Sequence, residues 1–377
     1  MTWHHYILLF AQGFLITVLL TPLMRRFAPV LGFLDQPGAR KVHIQPKPLL
    51  GGAAIFLGFL ALIVGNLLFL YWIYNLDLQS ESWMIRQLNL LAESAKGVDQ
   101  ALTELIGFLA GGALLFLVGL IDDRFGMSPW IKLCGQVVAA TLLYAADIRI
   151  SLFITHPVVN YCLTLFWLVL ITNSFNLLDN MDGLSGGVAM ICLLLLGIST
   201  HLVEKQVFMT SVSFALAGCI AGFLRYNLHP SSIFMGDAGS LFIGYSVAAL
   251  TIQGTFYQSD ASTATAWAVV MPFVILAVPI FDTLSVILIR IKNGQPIYVG
   301  DKNHFSHRLV ALGMSHRRAV FFIHLITLCE GSAALILALI SEPFGAYVVL
   351  TQIVLFFIII AMLEHIRNHF NNHHSKS

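Results

Sequence analysis

Residues 159–187 read VNYCLTLFWLVLITNSFNLLDNMDGLSGG, an apolar run that ends in a polar, glycine-rich stretch. The apolar part has the roughly 20 residues that a helix needs to cross a bilayer. Near its end, Asn173, Asn176 and Asp179 are spaced three apart, which places them on one face if the helix continues before a turn at Gly183. Amides and acids at the end of a membrane helix are hard to explain by packing alone. The stretch therefore predicts a membrane protein with a polar site at a helix end.

The composition of the whole chain predicts the same class. Hydrophobic residues make up 58% of the 377 positions and charged residues 10%, against about 45–50% and about 25% in soluble domains. So few polar groups cannot cover a water-soluble surface of this size, and a net charge of +1 gives no reason to expect nucleic acid as a partner. The five cysteines lie in apolar stretches and are odd in number, so we expect neither disulfides nor a metal site from them.

Eleven segments are apolar and long enough to be transmembrane helices, with ten as the alternative because the short sixth segment and its neighbour are less clear. They lie near 5–27, 49–72, 102–121, 130–149, 159–178, 185–201, 206–224, 238–256, 265–291, 318–339 and 344–365. The first is followed by no small-residue cleavage site, so we expect a retained helix rather than a signal peptide. No water-soluble domain interrupts the series. Residues 1–377 are therefore predicted to form a single all-α, polytopic membrane domain.

The positions of lysine and arginine predict the orientation. With the N-terminus outside, all 20 basic residues except Arg86, Lys96, Arg149 and Lys205 fall on the inner side, as the positive-inside rule requires. Six acids at or next to helix ends fall on that same side: Asp122, Asp123, Asp179, Asp182, Asp237 and Asp301. Carboxylates near a bilayer are costly and are kept mainly where they bind something. A polar site is therefore predicted on the cytoplasmic face.

Cationic side chains are dense in the first inner segment. Residues 35–52 carry Lys41, His43 and Lys47 among three prolines and end in a glycine pair. Proline prevents a regular helix, and glycine lets a ligand approach the backbone closely. Positive-inside anchoring explains basic residues near a membrane in general, but this density favours contact with a phosphate.

Two further inner motifs place acids beside turns. Asp122 and Asp123 are adjacent and would repel each other unless a divalent cation or an ammonium group such as that of Lys132 lies nearby; a solvated helix cap is the alternative. Asp237 lies between two glycines immediately before a helix. A plain N-cap would explain it, but the glycines and the nearby Phe234 favour a ligand site, since helix N-termini bind anions.

Histidines mark the last inner motif. His304 and His307 are one helical turn apart, with Arg308 adjacent. A metal-binding pair is one interpretation, but a cluster of imidazole and guanidinium groups suits a diphosphate better. Three further ionisable residues inside predicted helices need internal partners: Asp282, expected to support the site from nearby, and His324 and Glu330, expected to be structural.

Acids together with lysine, arginine and histidine on one face are what phosphoryl transfer from a diphosphate requires. Mg²⁺ is typically held by one or two carboxylates, and water and substrate phosphates complete its coordination. Cationic side chains share the charge of the transferring group, and positioning does most of the rest. A site at the inner rim also lets a lipid phosphate enter from the bilayer while a nucleotide arrives from the cytoplasm.

The five motifs, in order and over essentially the whole chain, resemble the polyprenyl-phosphate N-acetylhexosamine-1-phosphate transferase superfamily, and the segments DQPGARKVH and PKPLLGG resemble its WecA-like branch. The resemblance implies transfer of N-acetylhexosamine 1-phosphate, with N-acetylglucosamine favoured, from a UDP-sugar to undecaprenyl or another polyprenyl phosphate. UMP would be released, in the first lipid-linked step of cell-surface polysaccharide synthesis. It also implies Mg²⁺ as cofactor with Mn²⁺ as an alternative, a multi-pass location in the cytoplasmic (inner) membrane, and a homodimer.

By motif match, the resemblance also assigns residues to roles. The metal ligands would be Asp237, Asp122 and Asp179, and the catalytic residues Asp122, Asp123, Asp179, His304 and His307. Substrate would be bound by Lys41, His43, Lys47, Lys132, Asn173, Asn176, Asp182, Asn227, Phe234 and Arg308. The superfamily has a His-x-His-His motif whose middle histidine is Ser306 here, and Arg308 is the candidate for a replacement charge.

Two mechanisms and two other protein classes remain as alternatives. Direct attack by the lipid phosphate is expected, because a phosphate monoester has a second pKa of about 6 and is mostly ionised at neutral pH; the rival is an aspartate nucleophile that forms a phospho-enzyme. A secondary transporter would also place acids in a helical bundle, but near the midplane between repeated halves, and no repeat is visible. A scaffolding protein gives no reason for five polar motifs.

Overall fold

A computed structural model of the chain describes residues 3–37, 45–74, 98–150, 156–203, 206–253, 270–296, 301, 303–339, 347–358 and 360. Its helices, in chain order, are α1 (Trp3–Leu31), α2 (Gly51–Tyr74), α3 (Val98–Phe125), α4 (Pro129–Ala145), α5 (Pro157–Leu178), α6 (Leu184–Val203), α7 (Val207–Asn227), α8 (Gly236–Gln253), α9 (Met271–Ile275), α10 (Ala277–Lys292), α11 (Phe305–Ala311), α12 (His316–Leu339) and α13 (Tyr347–Ile358). The predicted all-α class is confirmed for these residues, which also contain two strands of two residues each.

Within the described ranges, seven helices are long and apolar enough to cross a bilayer: α1, α2, α3, α5, α6, α7 and α12. The protein is therefore a polytopic helical membrane protein. Helices α4, α8, α10 and α13 lie at the other predicted spans but fall outside this group, so the count of eleven stays a prediction. All five cysteines are free; Cys192 and Cys219 are buried and the other three exposed.

The predicted span near 265–291 is not one helix in its described part. Helix α9 ends at Ile275, and α10 begins at Ala277. Pro279, near the start of α10, has no backbone N–H and cannot donate to the carbonyl of Ile275, as a continuous helix would require. Pro279 therefore explains the break, which its position in the sequence could have predicted.

Helix α8 lies at the centre of the bundle. From Ala238 to Ile252 its residues are buried, and it packs against α2, α3, α5 and α6. Its contact with α3 is close enough to need a glycine: a Cβ at Gly119 would lie 2.4 Å from the carbonyl oxygen of Asp237. Small residues permit such close helix crossings in membrane proteins. The end of α3 is therefore held against the beginning of α8.

A two-stranded antiparallel sheet closes the same end of the bundle. Strand β1 (Leu34–Asp35) pairs with β2 (Lys47–Pro48), and Asp35 lies opposite Lys47. The carbonyl oxygen of Pro48 accepts a hydrogen bond of 2.8 Å from the backbone N–H of Phe234, in the segment that leads into α8. The first inner segment and the α7–α8 connection therefore form one layer.

Candidate active site

Remote segments of the chain line one cleft of about 680 Å³. The cleft lies where α3 and α5 end and where α8 and α12 begin. Its ionisable and amide lining residues are Asp35, Lys47, Asp122, Asp123, Asn176, Asp179, Asn180, Asp182, Asn227, His229, Asp237, Asp301, His304, His307 and His316. The structure thus brings together the six acids that the sequence placed on one side, and the volume is typical of a small-molecule site.

Lys132 joins two of these acids. Its ammonium donates hydrogen bonds of 2.8 Å to Asp122 and 2.8 Å to Asp237, which are far apart in sequence. Lys132 lies near the start of α4, one turn after its N-terminal Pro129. Two carboxylates this close need a cation between them, and the lysine supplies it.

Asp123 has a different role from its neighbour Asp122. Its two carboxylate oxygens accept hydrogen bonds from the backbone N–H groups of Asp237 (2.8 Å) and Ala238 (3.0 Å). Asp123 therefore caps the N-terminus of α8 from another helix. Side-chain oxygens that accept from the first N–H groups of a helix stabilise that end of the helix. Gly236, with φ +72°, makes the approach possible, because a Cβ there would lie 2.5 Å from an Asp123 oxygen.

The end of α5 supplies an amide and an acid. Asn176 donates hydrogen bonds to Asp237 (3.0 Å) and to Ser240 (2.8 Å), so it fixes the second oxygen of Asp237. Asp179 follows the helix and keeps part of its surface open to the cleft. In the part of the chain that the structure describes, its carboxylate accepts no hydrogen bond. Burial, with the charges of Asp237 and Asp182, raises the pKa of Asp179 to about 8.

Asp182 organises the loop between α7 and α8. It accepts hydrogen bonds from the backbone N–H (3.0 Å) and hydroxyl (2.7 Å) of Ser231 and lies 2.9 Å from His229 Nδ1. Lys47 donates to the carbonyl and hydroxyl oxygens of the same serine, at 2.6 and 2.9 Å. Burial raises the pKa of Asp182, but the bonds from Ser231 and His229 and the charge of Lys47 outweigh it and hold the pKa below its usual value.

Asn227 and Phe234 line the cleft in different ways. The Asn227 amide is occupied: it accepts from the backbone N–H of Gly183 (3.0 Å) and donates to the carbonyl of Ile233 (2.9 Å). It therefore fixes the loop that carries Phe234. The Phe234 ring has the ammonium of Lys47 5.0 Å from its centroid, a cation–π distance. This leaves a flat aromatic surface beside a cation.

His304 is held from outside the cleft by Asp282. Its Nδ1 lies 2.9 Å from one Asp282 oxygen, and the other oxygen accepts a hydrogen bond from the backbone N–H of Phe305. The support from α10 that the sequence led us to expect of Asp282 is therefore present. His307, also lining the cleft, has its ring centroid 6.5 Å from that of His304.

The rest of the histidine motif differs from the prediction. Ser306 is buried and donates a 2.6 Å hydrogen bond to Asn180, on the α5–α6 turn. Arg308 does not line the cleft; it donates a 2.7 Å hydrogen bond to Ser285 of α10 and lies over the ring of Phe281. The cleft therefore does not hold the predicted imidazole–guanidinium cluster: the Arg308 side chain, like that of His304, contacts α10, and Arg308 is not among the lining residues.

Two other predicted substrate-binding residues that the structure describes, Asn173 and Lys132, are not among the residues that line the cleft. Asn173 exchanges hydrogen bonds with Gln136 of α4, at 2.7 and 3.3 Å, so the predicted polar stripe on α5 is shared between the cleft and a helix–helix contact. Lys41 and His43 lie outside the described residues. His324, expected to be structural, lies 3.3 Å from the carbonyl oxygen of Leu184, away from the cleft.

Four ionisable residues that line the cleft were given no role from the sequence: Asp35, His229, Asp301 and His316. Asp301 was counted among the six inner acids without a role, Asp35 only begins the first inner segment, and no local pattern separates the two histidines from ordinary loop residues. Asp301 pairs with Arg290 at 2.8 Å and accepts bonds from Asn303. Burial raises the pKa of Asp301, but these partners outweigh it and hold the pKa at about 2.

The donor set has features that suit a hard cation. Among the described residues, no three His, Cys, Asp or Glu side chains form a metal site by themselves. Mg²⁺ does not need three, because water and substrate phosphates supply most of its ligands. Asp179, whose ionised form is disfavoured beside Asp237 and Asp182, is an oxygen donor that a nearby cation would stabilise.

Comparison with known proteins gives a consistent family. Glycosyl transferase family 4 matches residues 105–255. A Bacillus subtilis protein described as a probable undecaprenyl-phosphate N-acetylglucosaminyl 1-phosphate transferase is 33% identical over 365 residues, which cover 94% of this chain and 89% of that protein. A decaprenyl-phosphate N-acetylglucosaminephosphotransferase of Mycobacterium tuberculosis is 32% identical, covering 82% and 77%. An undecaprenyl-phosphate alpha-N-acetylglucosaminyl 1-phosphate transferase of Yersinia pestis is 28% identical, covering 88% and 81%.

These relatives are similar over most of their own length as well as over most of this chain, and the family match contains both the paired acids and the glycine-flanked acid of the cleft. The chain therefore belongs to glycosyl transferase family 4, among the polyprenyl-phosphate N-acetylglucosamine-1-phosphate transferases.

Proposed function

We propose that the protein transfers N-acetylglucosamine 1-phosphate from UDP-N-acetylglucosamine to a polyprenyl phosphate such as undecaprenyl phosphate, and releases UMP. The product is a polyprenyl-diphosphate-linked sugar, the first lipid-linked intermediate of a cell-surface polysaccharide. Family membership supports the reaction, since the relatives named above carry polyprenyl phosphate and N-acetylglucosaminyl 1-phosphate in their descriptions. The transporter alternative gains no support from these relatives.

The observation that carries the proposal is the joining of α3, α4, α5 and α8 at one point. Asp122, Lys132, Asn176 and Asp237 form a continuous hydrogen-bonded group whose members come from four helices. Such a group is costly to assemble at the end of a helical bundle. A diphosphate with a bound cation would compensate for this cost. The acids would bind the cation, and ammonium groups would bind the phosphates.

We propose Mg²⁺ as the cofactor, with Mn²⁺ as an alternative. Asp237, Asp179 and Asp122 would hold it together with substrate oxygens. When bound, the cation neutralises charge on the diphosphate. Lys132 keeps Asp122 and Asp237 at a fixed separation, and Asn176 orients Asp237. Lys47 and Phe234 offer a cation and an aromatic face to the nucleotide.

Direct attack by a lipid phosphate oxygen on the sugar-linked phosphorus is the proposed chemistry. A new P–O bond forms to the lipid, and the bond between the two donor phosphates breaks to release UMP. The carboxylates of Asp123 and Asp182 are poor candidates for a nucleophile, because both oxygens of each already accept hydrogen bonds. Asp179 is the candidate for the rival phospho-enzyme route.

We further propose that the chain spans the inner membrane eleven times, with its N-terminus outside and the cleft facing the cytoplasm, and that it forms a homodimer. The acids and amides at the ends of α3 and α5 and at the start of α8 support a single polar face. Cysteine labelling of introduced sites in intact and permeabilised cells would test the orientation.

Purified protein given undecaprenyl phosphate, Mg²⁺ and a panel of UDP-N-acetylhexosamines tests the reaction. We expect UMP and a lipid-linked product with UDP-N-acetylglucosamine, and loss of both with Asp237→Asn. No UMP with any donor would overturn the proposed function. UMP release equal to the amount of enzyme when the lipid is strictly absent would support the phospho-enzyme route instead of direct attack.

A further inference from the structure

Asp282 and His304 form a closed pair at the wall of the cleft. The Asp282 side chain is 2% exposed and that of His304 5% exposed. One Asp282 oxygen lies 2.9 Å from His304 Nδ1, and the other accepts the backbone N–H of Phe305. Neither the family assignment nor the proposed role of the acids requires this arrangement.

The pair decides where the imidazole carries its proton. An ionised carboxylate can only accept hydrogen bonds, so the nitrogen facing it must be the protonated one. In a neutral imidazole the other nitrogen then has the lone pair. Because His304 lines the cleft and its Nδ1 is engaged by Asp282, Nε2 is the nitrogen that remains for a ligand.

We propose that Asp282 is a positioning residue that fixes His304 as the Nδ1–H tautomer, and that His304 Nε2 thereby accepts a hydrogen bond from a hydroxyl or N–H group of the bound substrate. This inference deepens the proposed function and rests on it for the identity of the substrate. The tautomer itself can be measured without turnover.

The alternative is that Asp282 only ties α11 to α10. A second tie between the same helices provides a control, since the Arg308 side chain donates a 2.7 Å hydrogen bond to Ser285, one turn along α10 from Asp282. Removing the Ser285 hydroxyl loosens this contact and takes one 3.0 Å hydrogen bond from the backbone carbonyl of Asp282, but it leaves the Asp282 carboxylate beside His304 Nδ1.

Asp282→Asn should reverse the tautomer. The backbone N–H of Phe305 needs an acceptor, so the asparagine oxygen must stay on that side. Its NH₂ group then faces His304 Nδ1 and donates to it. The imidazole proton of His304 then moves to Nε2, and the cleft loses the Nε2 lone pair as a hydrogen-bond acceptor.

Nitrogen-15 NMR of histidine-labelled protein, with His304 assigned by its loss in His304→Gln and recorded where the ring is neutral, tests this directly. We expect a protonated Nδ1 in the wild type and in Ser285→Ala, and a protonated Nε2 in Asp282→Asn. A protonated Nε2 in the wild type overturns the proposal even if the variant does not fold. So does an unchanged tautomer in Asp282→Asn.

Activity provides the second measurement. We expect Asp282→Asn to lose transfer activity by about tenfold or more, as with other groups that orient active-site histidines, while Ser285→Ala stays near the wild type. A reversed tautomer with full activity would overturn the role in the reaction. Absence of transfer by the wild-type protein would instead count against the proposed function and leave the NMR result to decide the tautomer.

Discussion

The carboxylate of Asp123 accepts a 2.8 Å hydrogen bond from the backbone N–H of Asp237, across 114 positions of sequence. A second bond, from Ala238, completes a cap on the first turn of α8. The helix that carries Asp237 therefore begins where Asp123 holds it. Asp122, the adjacent acid, instead contacts Lys132.

Removing this cap should destabilise the protein. We expect Asp123→Ala to lower the free energy of unfolding by about 1–2 kcal/mol, the usual cost of losing a helix N-cap. Asp123→Asn keeps one acceptor for the two N–H groups and should cost less. Thermal unfolding of the three proteins in one detergent measures the order. Equal stability of the alanine variant and the wild type would contradict the capping role.

Gly236 should be intolerant of a side chain for two reasons. Its φ is +72°, and a Cβ would meet Asp123. Gly294 is a matched control, because its φ is +65° but a Cβ there would contact nothing within 4 Å. We expect Gly294→Ala to cost about 1 kcal/mol from backbone strain alone. Gly236→Ala should lower the melting temperature further and reduce activity; equal losses in the two variants would mean that contact with Asp123 does not matter.

Much of the architecture could be predicted because it depends on local sequence. An apolar run of about 20 residues has few alternatives to a helix in a bilayer, where the backbone must satisfy its own hydrogen bonds. Acids at successive helix ends could be assigned to one face, since consecutive spans alternate in direction. Asp122, Asp179 and Asp237 accordingly meet in one cleft.

Partners across the bundle could not be predicted in the same way. Sequence spacing gave Asn173 and Asn176 the same face of α5, yet one contacts Gln136 and the other Asp237. The difference depends on where α4 packs, which no local pattern records. The contact of Arg308 with Ser285 could not be predicted for a similar reason, because it depends on how α10 packs against α11.

Lys132 should compete with a divalent cation for Asp237. Lys132→Met removes the ammonium that lies 2.8 Å from that carboxylate. We expect transfer activity to fall while the substrate-free protein binds Mn²⁺ more tightly, by roughly tenfold or about 1.4 kcal/mol. This change in binding free energy is well below the interaction energy of about 4 kcal/mol between two unit charges 4 Å apart near a protein surface. Lys292→Met, at an exposed position, controls for net charge. Weaker Mn²⁺ binding in Lys132→Met, measured by electron paramagnetic resonance, would contradict the competition.

The pairing of Asp301 with Arg290 should make stability depend on acid pH. The pKa of Asp301 is about 2 in the folded protein, below the ordinary aspartate value of about 3.9. The pair therefore stabilises the fold above about pH 4 and loses that effect as the pH falls toward about 2.

Arg290 is buried, and we expect Asp301→Asn to lower the free energy of unfolding by about 2 kcal/mol at neutral pH, a value between those of surface and buried ion pairs. Asp147→Asn, in an exposed pair with Arg149 at the same 2.8 Å, should cost well under about 1 kcal/mol. Melting temperatures measured from pH 7 downward should show the Asp301→Asn deficit shrinking below pH 4; a deficit independent of pH would mean that the aspartate charge does not stabilise Arg290.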